Sequence, residues 1–346
     1  MDPVSHVALS YTLIGVLPSA RRLDGPLSGC VVAAVLGSLC PDLDAALMPF
    51  GWDRYLRVHE VGTHTICGAL TCALVTAGVV RVFARQTRYS WLALSAGIGA
   101  ASHLLLDLFS SARLRPGWPF VDTAVSLPLV AMADPWLLLL CVCGPVALWG
   151  AGRSRGRHVG VAVLAVTAVF LLAKAALGIV AFSNYRRASD RSAEIVLARA
   201  IEAKWASLNT WNVFDRTANR VRSWSASADG GAHEVWSWPV GPDTTHASGS
   251  RSLSTVRNFL RAHELGFAVT LPQGEGRILV LWSDIRFCWD PTLPGALALE
   301  PIVQSPTGDR RIACVLWFGG ELDADGRPRR EVVKVGGFTQ TRAPAR

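Results

Sequence analysis

The sequence predicts a multi-span membrane helical bundle of five to six helices, followed by a small α+β or mainly antiparallel β soluble domain. Three observations carry this expectation. The 346-residue chain is 51% hydrophobic and only 17% charged, with a mean hydropathy of +0.32, which is too apolar for one ordinary soluble domain. Its apolar excess is concentrated in runs long enough to cross about 30 Å of hydrocarbon, roughly 20 residues each. After Phe182 the texture reverses: residues 183–346 hold 21 Lys plus Arg, 17 Asp plus Glu and 8 of the 13 tryptophans, with no membrane-length run. The expected domains are therefore 1–182, membrane-embedded, and 183–346, soluble.

Taken in order, membrane-length runs lie near 27–48, 63–84, 90–110, 127–149 and 158–182, with a shorter one at 6–20. Pro18-Ser19-Ala20 loosely resembles a signal-peptide cleavage site, but Met1-Asp2-Pro3 lacks a positive n-region, so the first segment is expected to be retained. In the soluble part, Ile195, Leu197, Ile201 and Trp205 have helical spacing and predict a connecting helix over 186–208. Strand-like runs follow at 234–240, 267–271, 277–282, 311–318 and 331–338, separated by Gly, Pro and Asp turns.

If all six segments cross, one face collects Arg21, Arg22, Arg85, Arg88, Arg153, Arg155 and Arg157, and the positive-inside rule makes that face cytoplasmic. Arg54, Arg57, Arg113, Arg115, Arg186 and Arg187 run against the bias. The expected localisation is a multi-pass bacterial inner membrane protein with an extracytoplasmic C-terminal domain. Six cysteines lie in apolar spans as small hydrophobes, and Cys288 and Cys314 are free to pair in an oxidising compartment. The net charge of +8 is interleaved with acids, which argues for contact with anionic lipid headgroups and against nucleic acid.

Four polar clusters interrupt the apolar half: His6; Asp42 with Asp44; His59 with His64; and His103 with Asp107. Counting crossings puts all four at one membrane face. Ionisable groups at the edge of hydrocarbon are costly, and His and Asp are the ligands that a hydrolytic Zn²⁺, Mn²⁺ or Mg²⁺ centre uses. His103 and Asp107, at i and i+4, share one helix face, as two ligands or as an interhelical hydrogen-bonded pair. Pro41-Asp42-Leu43-Asp44 closes a span; its acids either bind or bridge metal, act as a general base, or are solvated at a helix end. His59 and His64 are five apart, unlike the i, i+4 zinc-protease pair, so a turn through Gly62 is needed to bring both inward. His158, His233, His246 and His263 lack acidic or cysteine companions at suitable spacing. Lys174 is expected to snorkel, and Asp134, inside the fifth span, to be an outer partner of the polar cluster.

The order of these motifs, an N-terminal His, then Pro-Asp-x-Asp, His-x-x-x-Thr-His-Thr, Ser-His-x-x-x-Asp and Trp118-Pro119-Phe120, resembles the bacterial family of membrane-bound metal-dependent hydrolases. One branch of that family is described as LexA-binding and inner-membrane-associated. The resemblance covers about residues 1–125 and implies a metal site of His6, Asp42, His64, His103 and Asp107, with Asp44 and His59 as participants. Two departures are His59-Glu60-Val61 where the family has His-Arg-Gly, and Ser110 where it favours Thr. A distant similarity to zinc-dependent phospholipase C and P1 nuclease implies phosphoester hydrolysis. Asn209, Trp211 and Ser283-Asp284-Ile285-Arg286-Phe287 are similar to a C-terminal domain of longer members.

The expected function is an integral membrane metal-dependent hydrolase acting on a phosphoester or lipid-derived substrate through divalent ions, Zn foremost with Mn or Mg as alternatives. His6, Asp42, His59, His64, His103 and Asp107 are the expected ligands, and Asp42 and Asp44 the expected catalytic acids. Expected partners are membrane lipids, a small-molecule or phospholipid substrate, and a protein bound by the C-terminal domain. The alternatives are a non-catalytic membrane protein with a structural metal clip, and a small transporter, which would place its charges near the midplane.

Overall fold

The computed structural model describes residues 1–17, 28–51, 55, 58–150, 152–240, 245–289, 302–304, 311–335 and 338–343. Arg21, Arg22, Arg54, Arg57 and Pro18-Ser19-Ala20 lie outside the described residues, as does the side chain of Arg153. The chain divides into two compact units, one built from Met1–Pro49, Arg57–Val180 and Glu202–Trp211, the other chiefly from Ala181–Ile201 and Asn212–Arg346.

In the first unit α1 (Pro3–Val16) starts at Asp2, whose carboxylate accepts from the Ser5 amide, with Pro3 at the first helical position, where its missing N–H costs nothing. Helix α2 (Gly29–Leu39) tightens into a 3₁₀ segment over Cys40–Phe50. A single π-helical turn, His59–Thr63, precedes α3 (Ile66–Phe83), and α4 (Tyr89–Phe109), α5 (Pro135–Gly150) and α6 (Gly152–Asp190) follow. Among the described residues, four helices are long and apolar enough to cross a membrane: Gly29–Phe50, Ile66–Phe83, Tyr89–Phe109 and Arg155–Asp190.

The run at 127–149 does not make a fifth helix of that length. Asp134 and Pro135 start the helix late: the Asp134 carboxylate accepts from the Trp136 and Leu137 amides, 3.0 and 3.1 Å away. Asp134 is therefore a helix cap, not an outer partner of the polar cluster. Nor does Lys174 snorkel. It is buried, donates to the Ser207 carbonyl at 2.9 Å and lies 4.5 Å from the centre of the Trp211 ring. Helices α2, α3 and α4 meet through alanines and glycines, among them Ala33, Ala73, Ala77 and Ala96. A Cβ added at Gly37 would fall 2.4 Å from the Ala96 carbonyl oxygen, and one at Gly99 2.0 Å from that of Ala34. Small residues let the two backbones approach where no hydrophobic effect drives helices together.

The C-terminal part is mainly antiparallel. The helix expected over 186–208 is replaced: α6 ends at Asp190, Ala193 takes φ 52°, and Ala198–Ala203 is strand β1. The left-handed residue breaks the helical register that the apolar spacing suggested. Strands β2 (Thr210–Arg216), β3 (Arg220–Ser227) and β4 (Gly231–Pro239) complete a sheet of order β1-β2-β3-β4. A five-stranded sheet, order β12-β11-β10-β6-β5, uses β5 (Gly266–Gly274), β6 (Arg277–Asp284), β10 (Leu316–Leu322), β11 (Pro328–Val335) and β12 (Phe338–Arg342). Side chains alternate across it. Leu279, Leu281 and Trp317 join Val221 and Trp238 in one core, while Val280, Trp282 and Phe318 pack with Leu253, Val256 and Phe259 around helices α7 (Thr245–Ser250) and α8 (Ser254–Ala262). A small sheet of β7 (Cys288–Trp289), β8 (Ile302–Gln304) and β9 (Arg311–Cys314) sets Cys288 opposite Cys314, and the two form a disulfide.

Candidate metal centre

The polar residues at the helix ends converge. His6 lies in the first turn of α1, Asp42 and Asp44 follow α2, His64 immediately precedes α3, and His103 and Asp107 occupy the last turns of α4. Their positions follow from local structure. The close approach at Gly99 brings the end of α2 onto α4, so that the Ser38 carbonyl lies 2.7 Å from His103 Nδ1. A Cβ at Gly68 would meet the Gly62 carbonyl oxygen at 2.1 Å, so Gly68 seats the π turn on the first turn of α3, and Thr65 caps that helix by accepting from the Gly68 amide. That seating aims His64 inward.

The hydrogen bonds determine where the ring protons sit. A carbonyl only accepts, so His103 Nδ1 carries a proton and its Nε2 is left to face the cluster. Thr63 spends its single hydroxyl proton on Asp44 Oδ2, 2.6 Å away, so at 3.1 Å from His64 Nδ1 it accepts, and His64 Nε2 likewise faces the cluster. These two nitrogens face each other at 3.1 Å. Asp107 Oδ2 lies 3.3 Å from His64 Nε2 and 3.1 Å from His103 Nε2, and Asp42 Oδ1 lies 3.4 and 3.5 Å from the same two atoms.

Donors at about 2.0–2.2 Å from a zinc ion stand roughly 3.0–3.5 Å apart, so the separations among His64, His103 and Asp107 are of the size that one ion would need. His6 groups with His103 and Asp42. Its ring stacks on that of His103 at 3.9 Å, its Nε2 is 3.5 Å from Asp107 Oδ1, and neither ring nitrogen has a hydrogen-bond partner although the side chain is wholly buried. Burying an unpaired imidazole is unfavourable unless something binds it. The Met1 amine also lies 2.5 Å from Asp107 Oδ1.

Ligand atoms of His6, Asp42 and His103, of Asp42, His59 and His64, and of His64, His103 and Asp107 form three overlapping groups able to hold an ion. Asp44 is engaged elsewhere. Its oxygens lie 3.1 and 3.2 Å from His59 Nδ1, and it accepts from Thr63, so it braces the turn that carries His64. Asp42 is 34% exposed at its side chain, so the cluster reaches the surface there.

Sequence reasoning missed Thr63 and Ser38 as orienting groups. A hydroxyl three residues before a helix and a backbone carbonyl leave no compositional signal. It also read His263 as lacking an acidic companion, whereas the fold brings Asp284 Oδ2 to 3.4 Å and Arg286 Nη2 to 2.8 Å from its Nδ1. Burial pushes the Asp284 carboxyl up, but the Arg286 charge and the bonds from His263 and Arg286 outweigh it and hold the pKa below the usual carboxylate value.

A family model described as YdjM inner membrane protein matches residues 1–179. The chain is also similar to the uncharacterized protein YfhP of Bacillus subtilis (strain 168), 28% identical over 159 residues, which is 45% of this chain and 48% of that protein. The chain thus spans about half the length of that relative. No solved structure matches it. Neither match lends support to the expected similarity to phospholipase C and P1 nuclease.

Proposed function

The chain belongs to the YdjM inner membrane protein family, and from that premise we propose that it is an integral membrane metal-dependent hydrolase of phosphoesters. One observation carries the reading: the Nε2 atoms of His64 and His103 face each other at 3.1 Å beside the carboxylates of Asp107 and Asp42. His64, His103 and Asp107 would hold a divalent ion, zinc by preference for this nitrogen and oxygen set, and Asp42 could serve a neighbouring ion with His6 and His103 or with His59 and His64. A divalent ion held there would supply polarisation of a phosphoryl oxygen and a lowered pKa for water.

The chain's own residues do the rest. Ser38 and Thr63 orient the imidazoles, and Asp44 braces His59 and Thr63. In this assignment Asp44 is a positioning residue, and Asp42, open to the outside, is the acid nearest an incoming substrate. The exposure of Asp42 favours catalysis over a structural clip, because a catalytic site keeps a position for water or substrate whereas a structural one is closed.

The protein sits in the inner membrane with the metal site and the C-terminal domain extracytoplasmic. With the shorter helices α1 and α5 crossing as well, Arg85, Arg88, Arg155 and Arg157 fall together at the cytoplasmic ends of the spans, and the Cys288–Cys314 disulfide suits an oxidising compartment. The test is hydrolysis of bis-p-nitrophenyl phosphate by detergent-purified protein supplied with Zn²⁺, Mn²⁺ or Mg²⁺. Activity abolished by chelator and by Asp107→Asn is expected. Equal activity in Asp107→Asn and wild type would refute the reading.

A further inference from the structure

Between α4 and α5 the chain forms a hairpin that the metal site does not use. Leu114 and Val125 exchange both backbone hydrogen bonds, at 2.9 and 2.7 Å, and Arg115 pairs with Asp122 above them. The tip is apolar and exposed: Trp118, Phe120 at 85% and Val121. Such a tip is a liability in water, whereas aromatic residues are favoured at the membrane–water interface.

Backbone bonds set the position of the hairpin. The Ile66 amide, two residues after His64, donates to the Pro116 carbonyl at 3.0 Å, and the Leu127 amide donates to that of Leu108, next to Asp107, at 2.9 Å. Its base is therefore fastened to the two spans whose ends carry His64 and Asp107, at the level where those spans leave the hydrocarbon. Leu43, between Asp42 and Asp44, is also an exposed apolar residue next to the ligand set.

We propose that the 114–125 hairpin is the lipid-binding element of the site: its tip lies in the interfacial layer and holds the glycerol and acyl part of a membrane phospholipid whose phosphate reaches the His/Asp cluster. This rests on the hydrolase reading above and names its substrate class. In the reaction, a water oxygen forms a bond to phosphorus, the bond from phosphorus to the leaving alcohol breaks, and that alcohol oxygen takes the proton.

Two readouts test it. With Phe120→Cys carrying an environment-sensitive fluorophore in nanodiscs, the expected result is quenching by lipid spin-labelled near its headgroup and protection from aqueous iodide. Free access of iodide would overturn the proposal whatever the enzyme does. In the second readout, Phe120→Asp lowers the ratio of phospholipid to bis-p-nitrophenyl phosphate turnover by about tenfold, the scale of one lost apolar contact or more, and Phe120→Leu restores it. An unchanged ratio would overturn the assignment while leaving the hydrolase reading intact. Loss of turnover on both substrates in wild type would refute the hydrolase reading and the substrate assignment together, and the quenching readout would then judge the hairpin's place in the lipid alone.

Discussion

One backbone carbonyl decides what His103 can do: with Nδ1 committed to Ser38, only Nε2 is left for a ligand. His64 is held the same way through Thr63 and Asp44. Groups that fix a ligand's tautomer typically tune metal affinity, so Thr63→Val should weaken metal binding by roughly 10–100-fold in competition with a chelator while the ions still bind. Unchanged affinity would remove Asp44 and Thr63 from the site. In the soluble domain, Asp284 has a depressed folded pKa, so its contribution to stability is present above the unfolded value of about 4 and is lost as pH falls below it. Asp284→Asn should flatten the acid limb of denaturation monitored by tryptophan fluorescence; an identical limb would contradict this. The ionisable residues of the cluster were legible because they break apolar spans at their ends. Their orienting partners were not, since Ser38 acts through its backbone, and the companions of His263 lie far along the chain and reach it only through β6.

Helices α2 and α4 hold the site because Gly37 and Gly99 let them touch. Gly99→Leu inserts a side chain where even a Cβ would stand 2.0 Å from a carbonyl oxygen, so it should push the helices apart, detach Ser38 from His103, lower bound metal and lower the thermal midpoint. A variant with wild-type metal content would show that this contact does not position His103. Hydropathy located the long spans because their length is a property of the membrane. It overestimated α5, where Asp134 and Pro135 impose a local start that a window average does not register. Strands β1, β2 and β3 escaped notice because their apolar residues are interleaved with arginine and acids, some of which are buried in pairs: Arg222 makes a two-toothed contact with Asp215, at 2.6 and 3.0 Å, in the interior.

For the whole molecule, a membrane part and a mainly antiparallel part could be told apart from composition alone, and family membership places the chain in the inner membrane. Orientation is the testable remainder. A C-terminal reporter should signal the extracytoplasmic side, and Cys288 and Cys314 should react with an impermeant maleimide only after reduction. A cytoplasmic signal would invert the proposed topology. Breaking the disulfide, whose cysteines are 26 residues apart, should destabilise the soluble domain by about 3 kcal/mol. The measurement that bears most directly on the account is metal content by elemental analysis of detergent-purified protein, wild type beside His64→Ala and Asp107→Ala. The account predicts stoichiometric zinc or manganese in the wild type that both substitutions remove. Wild-type protein that stays metal-free after reconstitution would contradict it and leave the cluster a proton-bridged network of histidines and carboxylates.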